Sequence, residues 1–389
     1  MRKSTLFTRR SALYLGLGSL AGIGALMKHK ATHDSQGMQV LANTQKRNFT
    51  VVGQTPLKER AARKGLIYGA DCGTLDLQSA PKLATALVQE CGMLVAGFLK
   101  WDRLRPTVNT FDFSKGDWFA EFARNHNLLL RGHTLVWHEA LPPWFKEKVN
   151  RQNSEQVLTQ HIKQVVGHYA GQMHSWDVVN EAIPFDPTHS KGLRKTPWLE
   201  FLGVDYIDIA FRTAAETDPK AMLVYNDFGL EYDTPRDEAK RNAVLNLLEK
   251  LKSQGTPIHA LGIQSHLFAN ETRFNAQKLR SFLKNVASMD LKILITEMDV
   301  MDKKLPLEAV VRDGIVAAAY EDYLSVVLDE PAVICVTTWG LSDRYTWLSE
   351  FYPRSDGAAV RPLPLDTNFK RKLAWNAIAR AFDHAPKRN

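Results

Sequence analysis

The sequence predicts a single (β/α)₈ barrel behind an N-terminal leader and linker. Two observations carry this. Eight short β-type runs alternate with stretches of helical period over some 320 residues, and polar and aromatic residues gather at the C-terminal ends of those runs. Strands alternating with helices pair in parallel through βαβ units, and eight such units close a barrel more readily than an open sheet. In a barrel all strand C-termini share one face, where active sites lie.

The chain has 389 residues, a hydrophobic fraction of 44% and nine Trp. That length suits one large core plus a leader. The formal charge is +8, but residues 1–42 hold six basic side chains and one acidic one, leaving +3 on the rest. A body so nearly neutral gives no electrostatic footprint for nucleic acid.

Within the leader, a basic stretch ends in Arg9-Arg10 and an apolar run follows from Ala12 to Met27. The run is short of the roughly 20 residues a spanning helix needs. It suits the hydrophobic region of a signal peptide. The Arg9-Arg10 pair resembles a twin-arginine signal. Export to the periplasm or the medium is therefore expected, with anchoring by an uncleaved leader as the alternative. Val40-Leu41-Ala42 is a weak cleavage candidate. The expected organisation is 1–42 signal peptide and start of linker, 43–62 linker, 63–383 catalytic barrel and 384–389 tail, with no appended module.

The β-type runs are Leu66–Cys72, Met93–Leu99, Leu128–Trp137, Met173–Asn180, Ala221–Asn226, Ile258–His266, Leu291–Glu297 and Ala332–Trp339. Between them, Val157, Leu158, Ile162, Val165, Val166 and Tyr169 fall on one helical face in 154–169. Val244, Leu247, Leu248 and Leu251 do so in 236–253. A last helical stretch covers about 368–383. Three cysteines, Cys72, Cys91 and Cys335, make no disulfide framework. Cys335 reads as a small buried hydrophobe. Cys72 and Cys91 are left open as a pair that export would allow to oxidise.

The strand ends carry the chemistry. Glu181 closes the fourth run and Glu297 the seventh, on opposite sides of a barrel mouth. Two carboxyl groups facing across one cleft are what glycoside hydrolysis needs, one to protonate the leaving oxygen and one opposite it. A lone Glu at a strand end is usually a surface ion-pair partner; two at the functional face are not. His266 and Asp299 lie near both, and a His bonded to a carboxylate keeps it ionised. His133, His138, His266, Glu297 and Asp299 share this face, but none of these histidines stands at H-x-x-x-H or H-x-H spacing from another, so neither metal nor cofactor is expected. Trp101, Trp137, Trp339 and Trp347 fall at or beyond strand ends, where indole planes can stack on sugar rings or simply fill core. The chain has no phosphate loop, no G-x-S-x-G elbow and no zinc spacing.

At these residues a family resemblance appears. Arg131 to His138, Trp176 to Ala182, Gly262 to His266, Ile295 to Asp299, Trp339 to Trp347 and the tail from Pro364 to Ile378 resemble glycoside hydrolase family 10, the endo-β-1,4-xylanases, in the family's order over about 63–383. The resemblance implies a retaining enzyme cutting β-1,4-xylan internally; the expected partner is the polysaccharide, and a monomer is expected. It implies Glu181 as acid/base, Glu297 as nucleophile, and His266 bonded to the nucleophile and oriented by Asp299. It implies His133, Asn180 and Gln264 as groups holding the sugar at the cleavage point. It implies Lys100 as a lysine gripping a sugar on the glycone side and Trp339 and Trp347 as an aromatic lid there, and Trp137 is expected as a further binding residue.

One segment departs from the pattern. The family usually carries Glu-Asn ahead of the second-strand Lys-Trp, and these side chains bind the next glycone sugar. Here Ala96-Gly97 stand in their place, before Phe98-Leu99-Lys100-Trp101. Two or three hydrogen bonds, each worth about 0.5–1.5 kcal/mol net, are thereby removed. Either the enzyme takes a bulkier or substituted glycone or is weak on plain xylan, or local realignment lets another side chain fill the role. Two competing readings stand beside the first: a retaining glycosidase of the same fold acting on another or substituted polysaccharide, and a non-catalytic carbohydrate-binding barrel.

Overall fold

A computed structural model describes residues 47–72, 77–187, 192–269 and 274–388. The leader, with Arg9-Arg10 and Val40-Leu41-Ala42, lies outside the described residues. Among the described residues, no helix is long and apolar enough to cross a membrane.

Among the described residues, nine strands form the sheet: β1 Ile67–Asp71, β2 Met93–Ala96, β3 Leu129–Val136, β4 Ser175–Asn180, β5 Met222–Asp227, β6 Ala260–Ile263, β7 His266–Phe268, β8 Lys292–Met301 and β9 Val333–Thr338. All pairings are parallel. The order runs β6-β5-β4-β3-β2-β1-β9-β8, and β6 pairs β8 to close the ring. The predicted sixth run, Ile258–His266, is one barrel staircase broken in two. β6 ends at Ile263 and β7 resumes at His266, pairing Asp299 on β8. Ser265 at the break has φ +61°, a left-handed conformation that turns the chain. Its hydroxyl shares a 2.7 Å hydrogen bond with the buried Tyr323 hydroxyl.

Eight long helices follow the barrel strands: α1 Pro81–Glu90, α2 Ser114–Asn125, α3 Ser154–His168, α4 Tyr206–Thr217, α5 Pro235–Ser253, α6 Ala276–Ser288, α7 Ala309–Val327 and α8 Leu373–His384. Local chemistry fixes several starts. Thr234 Oγ1 accepts the Asp237 N–H ahead of α5, with Pro235 at the first helical position, and Asn275 Oδ1 accepts the Lys278 N–H ahead of α6. The last predicted helix begins later than about 368, because residues up to Lys372 are engaged in a loop that hydrogen-bonds back to Pro364.

The apolar runs pack on both sides of the wall. Met93, Val224, Ala260, Leu294 and Cys335, one each from β2, β5, β6, β8 and β9, form a separate cluster that plugs the barrel. Cys335 is fully buried, as its apolar run predicts. Cys72 and Cys91 are both buried and both free thiols. The linker expectation for 43–62 fails at its end. Leu57–Ala62 is a helix whose Leu57 and Ala61 are fully buried against the barrel. A helix of six residues is too short to announce itself by periodicity. The tail is likewise tied in, since Arg388 donates to the carbonyls of Val333, Leu328 and Glu330.

Candidate active site

Both carboxylates stand at the mouth, Glu181 just past the end of β4 and Glu297 in the second half of β8. Glu181 directly follows β4 with φ +57°. For a residue with a Cβ this conformation costs on the order of 1–2 kcal/mol, so something must hold it. Its N–H donates to Asn226 O at 2.8 Å, and Arg194 Nε donates to its carbonyl at 2.8 Å. The carboxyl oxygen Oε1 accepts from Asn180 Nδ2 at 3.2 Å and Gln264 Nε2 at 3.1 Å, while Oε2 lies 3.9 Å from Arg194 Nη2.

Glu297 lies within β8 and is buried. Its Oε1 accepts from Asn226 Nδ2 at 2.7 Å and is 3.8 Å from His133 Nδ1. Its Oε2 is 3.3 Å from His266 Nε2. Burial alone would push this carboxyl up. The His266 hydrogen bond, the charges of His133 and His266 and the Asn226 donor outweigh it and hold the group down at about 2. His266 is the counterpart. Burial disfavours its cation, but Asp299 and Glu297 overcome that and raise it well above the ordinary range. His266 Nδ1 donates to Asp299 Oδ1 at 3.0 Å, and Trp347 Nε1 donates to Asp299 Oδ2 at 2.7 Å. Asp299 thus orients both a histidine and the indole of the expected lid.

Asn226 joins the two sides. Its Nδ2 donates to Asn180 Oδ1 at 2.9 Å as well as to Glu297, and its Oδ1 accepts from Thr296 Oγ1 at 2.7 Å. Asn180 and Gln264 continue the chain to Glu181. A continuous run of amide hydrogen bonds therefore connects the carboxylates across the mouth. Gly262 makes room for it, because a Cβ there would sit 2.3 Å from Asn226 Oδ1. Sequence reasoning placed Asn226 in the strand-end cluster but gave it no role. The signal available was its position at the end of β5, between the two glutamate-bearing strands.

A second layer of side chains supports His133. His133 Nδ1 is 2.9 Å from Asp177 Oδ2, and Arg131 bonds both Asp177 and Ser175 Oγ inside the barrel. Among the described residues one trio of metal-capable groups converges, His133, Asp177 and Glu297. It suits a cation poorly. The Arg131 guanidinium already holds Asp177, and Asn226 points an N–H at Glu297.

The aromatic residues divide. Trp339 is partly exposed, with its ring 5.3 Å edge-on from His133, and Trp347 stands edge-on to His266 at 5.3 Å. Lys100 Nζ lies 5.0 Å from the Trp137 ring centre. These three indoles and Lys100 line the mouth. Trp101 does not. It is buried, donates to Leu135 O at 2.7 Å and stacks on His161 at 3.7 Å, so it is core. Sequence reasoning also passed over Asp71 and Arg194. Gly97 N–H donates to Asp71 Oδ1 at 3.3 Å, on the wall where the family pattern is broken.

The model of glycosyl hydrolase family 10 matches residues 56–381. Endo-1,4-beta-xylanase 1 of Humicola insolens is 33% identical, covering 83% of this chain and 73% of the relative. An endo-1,4-beta-xylanase of Agaricus bisporus is 35% identical, covering 84% and 94%. Among solved structures, xylanase 10B of Thermotoga petrophila RKU-1 in complex with xylobiose superposes with a TM-score of 0.77 at 31% identity, covering 86% of this chain and 99% of that one. Native xylanase 10B of Thermotoga maritima gives 0.76 at 32%, covering 84% and 98%.

Proposed function

The chain belongs to glycosyl hydrolase family 10, and from that premise we propose that it is a retaining endo-β-1,4-xylanase with Glu297 as nucleophile and Glu181 as general acid/base. The observation that carries the reading is the unequal provision for the two carboxyls. Glu297 is held ionised at about 2 by His266, His133 and Asn226. Glu181 receives its two amide donors on Oε1 alone. The transferable proton then belongs on Oε2, which receives no amide donor and lies 3.9 Å from Arg194 Nη2.

In the first step a Glu297 oxygen bonds to the anomeric carbon while the glycosidic C–O bond breaks. Glu181 gives its proton to the departing oxygen. In the second step Glu181, now a carboxylate, takes a proton from water. The water oxygen bonds to the anomeric carbon and Glu297 leaves. Asn180 and Gln264, beside Glu181, are placed to bind hydroxyls of the sugar at the cleavage point, where hydrogen bonds that tighten with developing charge lower the barrier. Retention requires the carboxyls about 5–5.5 Å apart. The test is the proton NMR time course of xylan or xylopentaose cleavage. A β-anomer appearing first supports the proposal, and an α-anomer first overturns it.

The leader fits the same reading, since a polymer too large to enter a cell must be met outside it. Replacing Arg9-Arg10 by Lys-Lys should block export by the twin-arginine route. Undiminished activity outside the cell after that change would rule the route out.

A further inference from the structure

We propose that Asp71, at the end of β1, is the hydroxyl-binding group that sets the glycone side of the cleft. It would take the place of side chains that β2 lacks. The inference rests on the xylanase reading above.

The geometry at Gly97 carries it. A Cβ built on Gly97 would lie 2.5 Å from Asp71 Oδ1 and 3.2 Å from Asp71 Cγ. No residue with a side chain fits at 97 while Asp71 keeps this position. The same Cβ would lie 3.3 Å from Trp339 Cη2, so the carboxylate, the glycine and the indole edge meet at one place. Trp339 reaches His133 with its ring, 5.3 Å away, and His133 stands beside Glu297. The Asp71 carboxylate is therefore in the cleft wall, one indole's breadth from the reacting centre. It is 6% exposed and accepts the Gly97 N–H at 3.3 Å.

A carboxylate has about four acceptor positions, and the Gly97 N–H is among the donors this one takes. Sugar hydroxyls are donors, and hydrogen bonds to an ionised acceptor are stronger than neutral ones. An acceptor beside an indole edge is the pairing a pyranose ring takes, with the ring on the aromatic and the hydroxyls on the acceptor. Of the two outcomes open at Ala96-Gly97, the geometry favours replacement over loss. The acceptor has moved from β2 to β1, and glycine at 97 is the condition for it.

The test compares kcat/KM for an aryl β-xyloside, which fills only the reacting sugar's place, with that for the corresponding aryl β-xylobioside, which adds one glycone sugar. The wild-type protein should favour the xylobioside strongly. Asp71→Ala should cut that preference at least tenfold, mainly through KM. Asp71→Asn keeps the shape and should fall between, and it serves if Asp71→Ala does not fold. In Asp71→Ala/Gly97→Asn, where the collision at 97 is removed and a hydrogen-bonding side chain returns on β2, part of the preference should come back. Both substrates falling in proportion in Asp71→Ala and Asp71→Asn would mean a structural role and overturn the proposal. A wild-type protein that cleaves neither substrate would overturn the xylanase reading and this inference with it.

Discussion

The two arcs of the barrel mouth are built on different principles. Along the catalytic arc, from β3 round to β8, the functional side chains hold one another. Glu297 meets Asn226, His266 and His133, Asn226 meets Asn180 and Thr296, and His266 meets Asp299. Along the glycone arc, β9, β1 and β2, position is set by exclusion. A glycine leaves room for the Asp71 carboxylate, and the Trp339 edge closes over it. A hydrogen-bonded network fixes charge states and orientations to fractions of an ångström, which chemistry demands. A wall made by packing fixes only which sugar face fits, and it can be rebuilt by changing two residues together.

Deleting a member of the catalytic arc should therefore be costly, and adding bulk there less informative than adding it to the other arc. The largest effect is expected for Glu297→Ala, a fall in kcat of at least about 10⁴-fold on xylan and on aryl xylobiosides alike. Steady-state kinetics reads it, and substantial residual turnover would break the assignment. Next, Glu181→Ala should lose about 10²–10⁴-fold on xylan but far less on a dinitrophenyl xylobioside, whose leaving group needs no proton. Equal loss on both substrates would put the acid elsewhere.

Much of the first arc was legible before the structure, and the reason is physical. Its residues stand at or near strand ends with side chains distinctive in themselves: Glu181, Glu297, His266, Asp299, Asn180 and Gln264 all stand at the mouth. Strand positions were equally readable, because parallel barrel strands buried on both faces are continuous apolar runs. What was missed acts through a partner distant in sequence. Asp71 matters because of Gly97, 26 residues on, and nothing in either residue alone reveals the exchange. Asn226 matters because β5 stands between the glutamate strands. Arg194 matters because Glu181 takes a left-handed backbone that needs its carbonyl held. The helix Leu57–Ala62 was read as linker because six residues show no period.

Smaller effects sharpen the contrast. Asn226→Ala removes a hydrogen bond to a charged group, worth about 1.5–3 kcal/mol, so kcat/KM should drop roughly 10–150-fold. It should also raise the Glu297 pKa, moving the acid limb of the kcat/KM profile to higher pH. A profile shifted the other way would mean Asn226 does not stabilise the carboxylate. In the glycone arc, Gly97→Ala should lower stability by about 1–3 kcal/mol through overpacking against Asp71, read as a reduced Tm. An unchanged Tm would show that the Asp71 carboxylate yields easily.

A further signal is in pH. Glu297 titrates at about 2 in the fold against an ordinary 4.5. Its contribution to stability is complete above about 4.5 and is lost as pH falls through 2. His266 is shifted upward, so its contribution is complete below about 6.5 and fades as pH rises through its higher folded value. The pair therefore contributes most between about pH 4.5 and 6.5. In Glu297→Gln the fall of Tm between pH 4.5 and 2 should be shallower than in the wild type. Identical slopes would show that this carboxyl is not held ionised by its neighbours.

Covalent trapping tests the central claim most directly. An aryl 2-deoxy-2-fluoro-β-xylobioside forms the glycosyl-enzyme quickly through its good leaving group and hydrolyses slowly, because fluorine at C2 disfavours the oxocarbenium-like transition state. Mass spectrometry of the digested protein should find one fluoroxylobiosyl group, carried on Glu297. A label on any other residue, or fast inactivation of Glu297→Ala by the same reagent, would contradict the account.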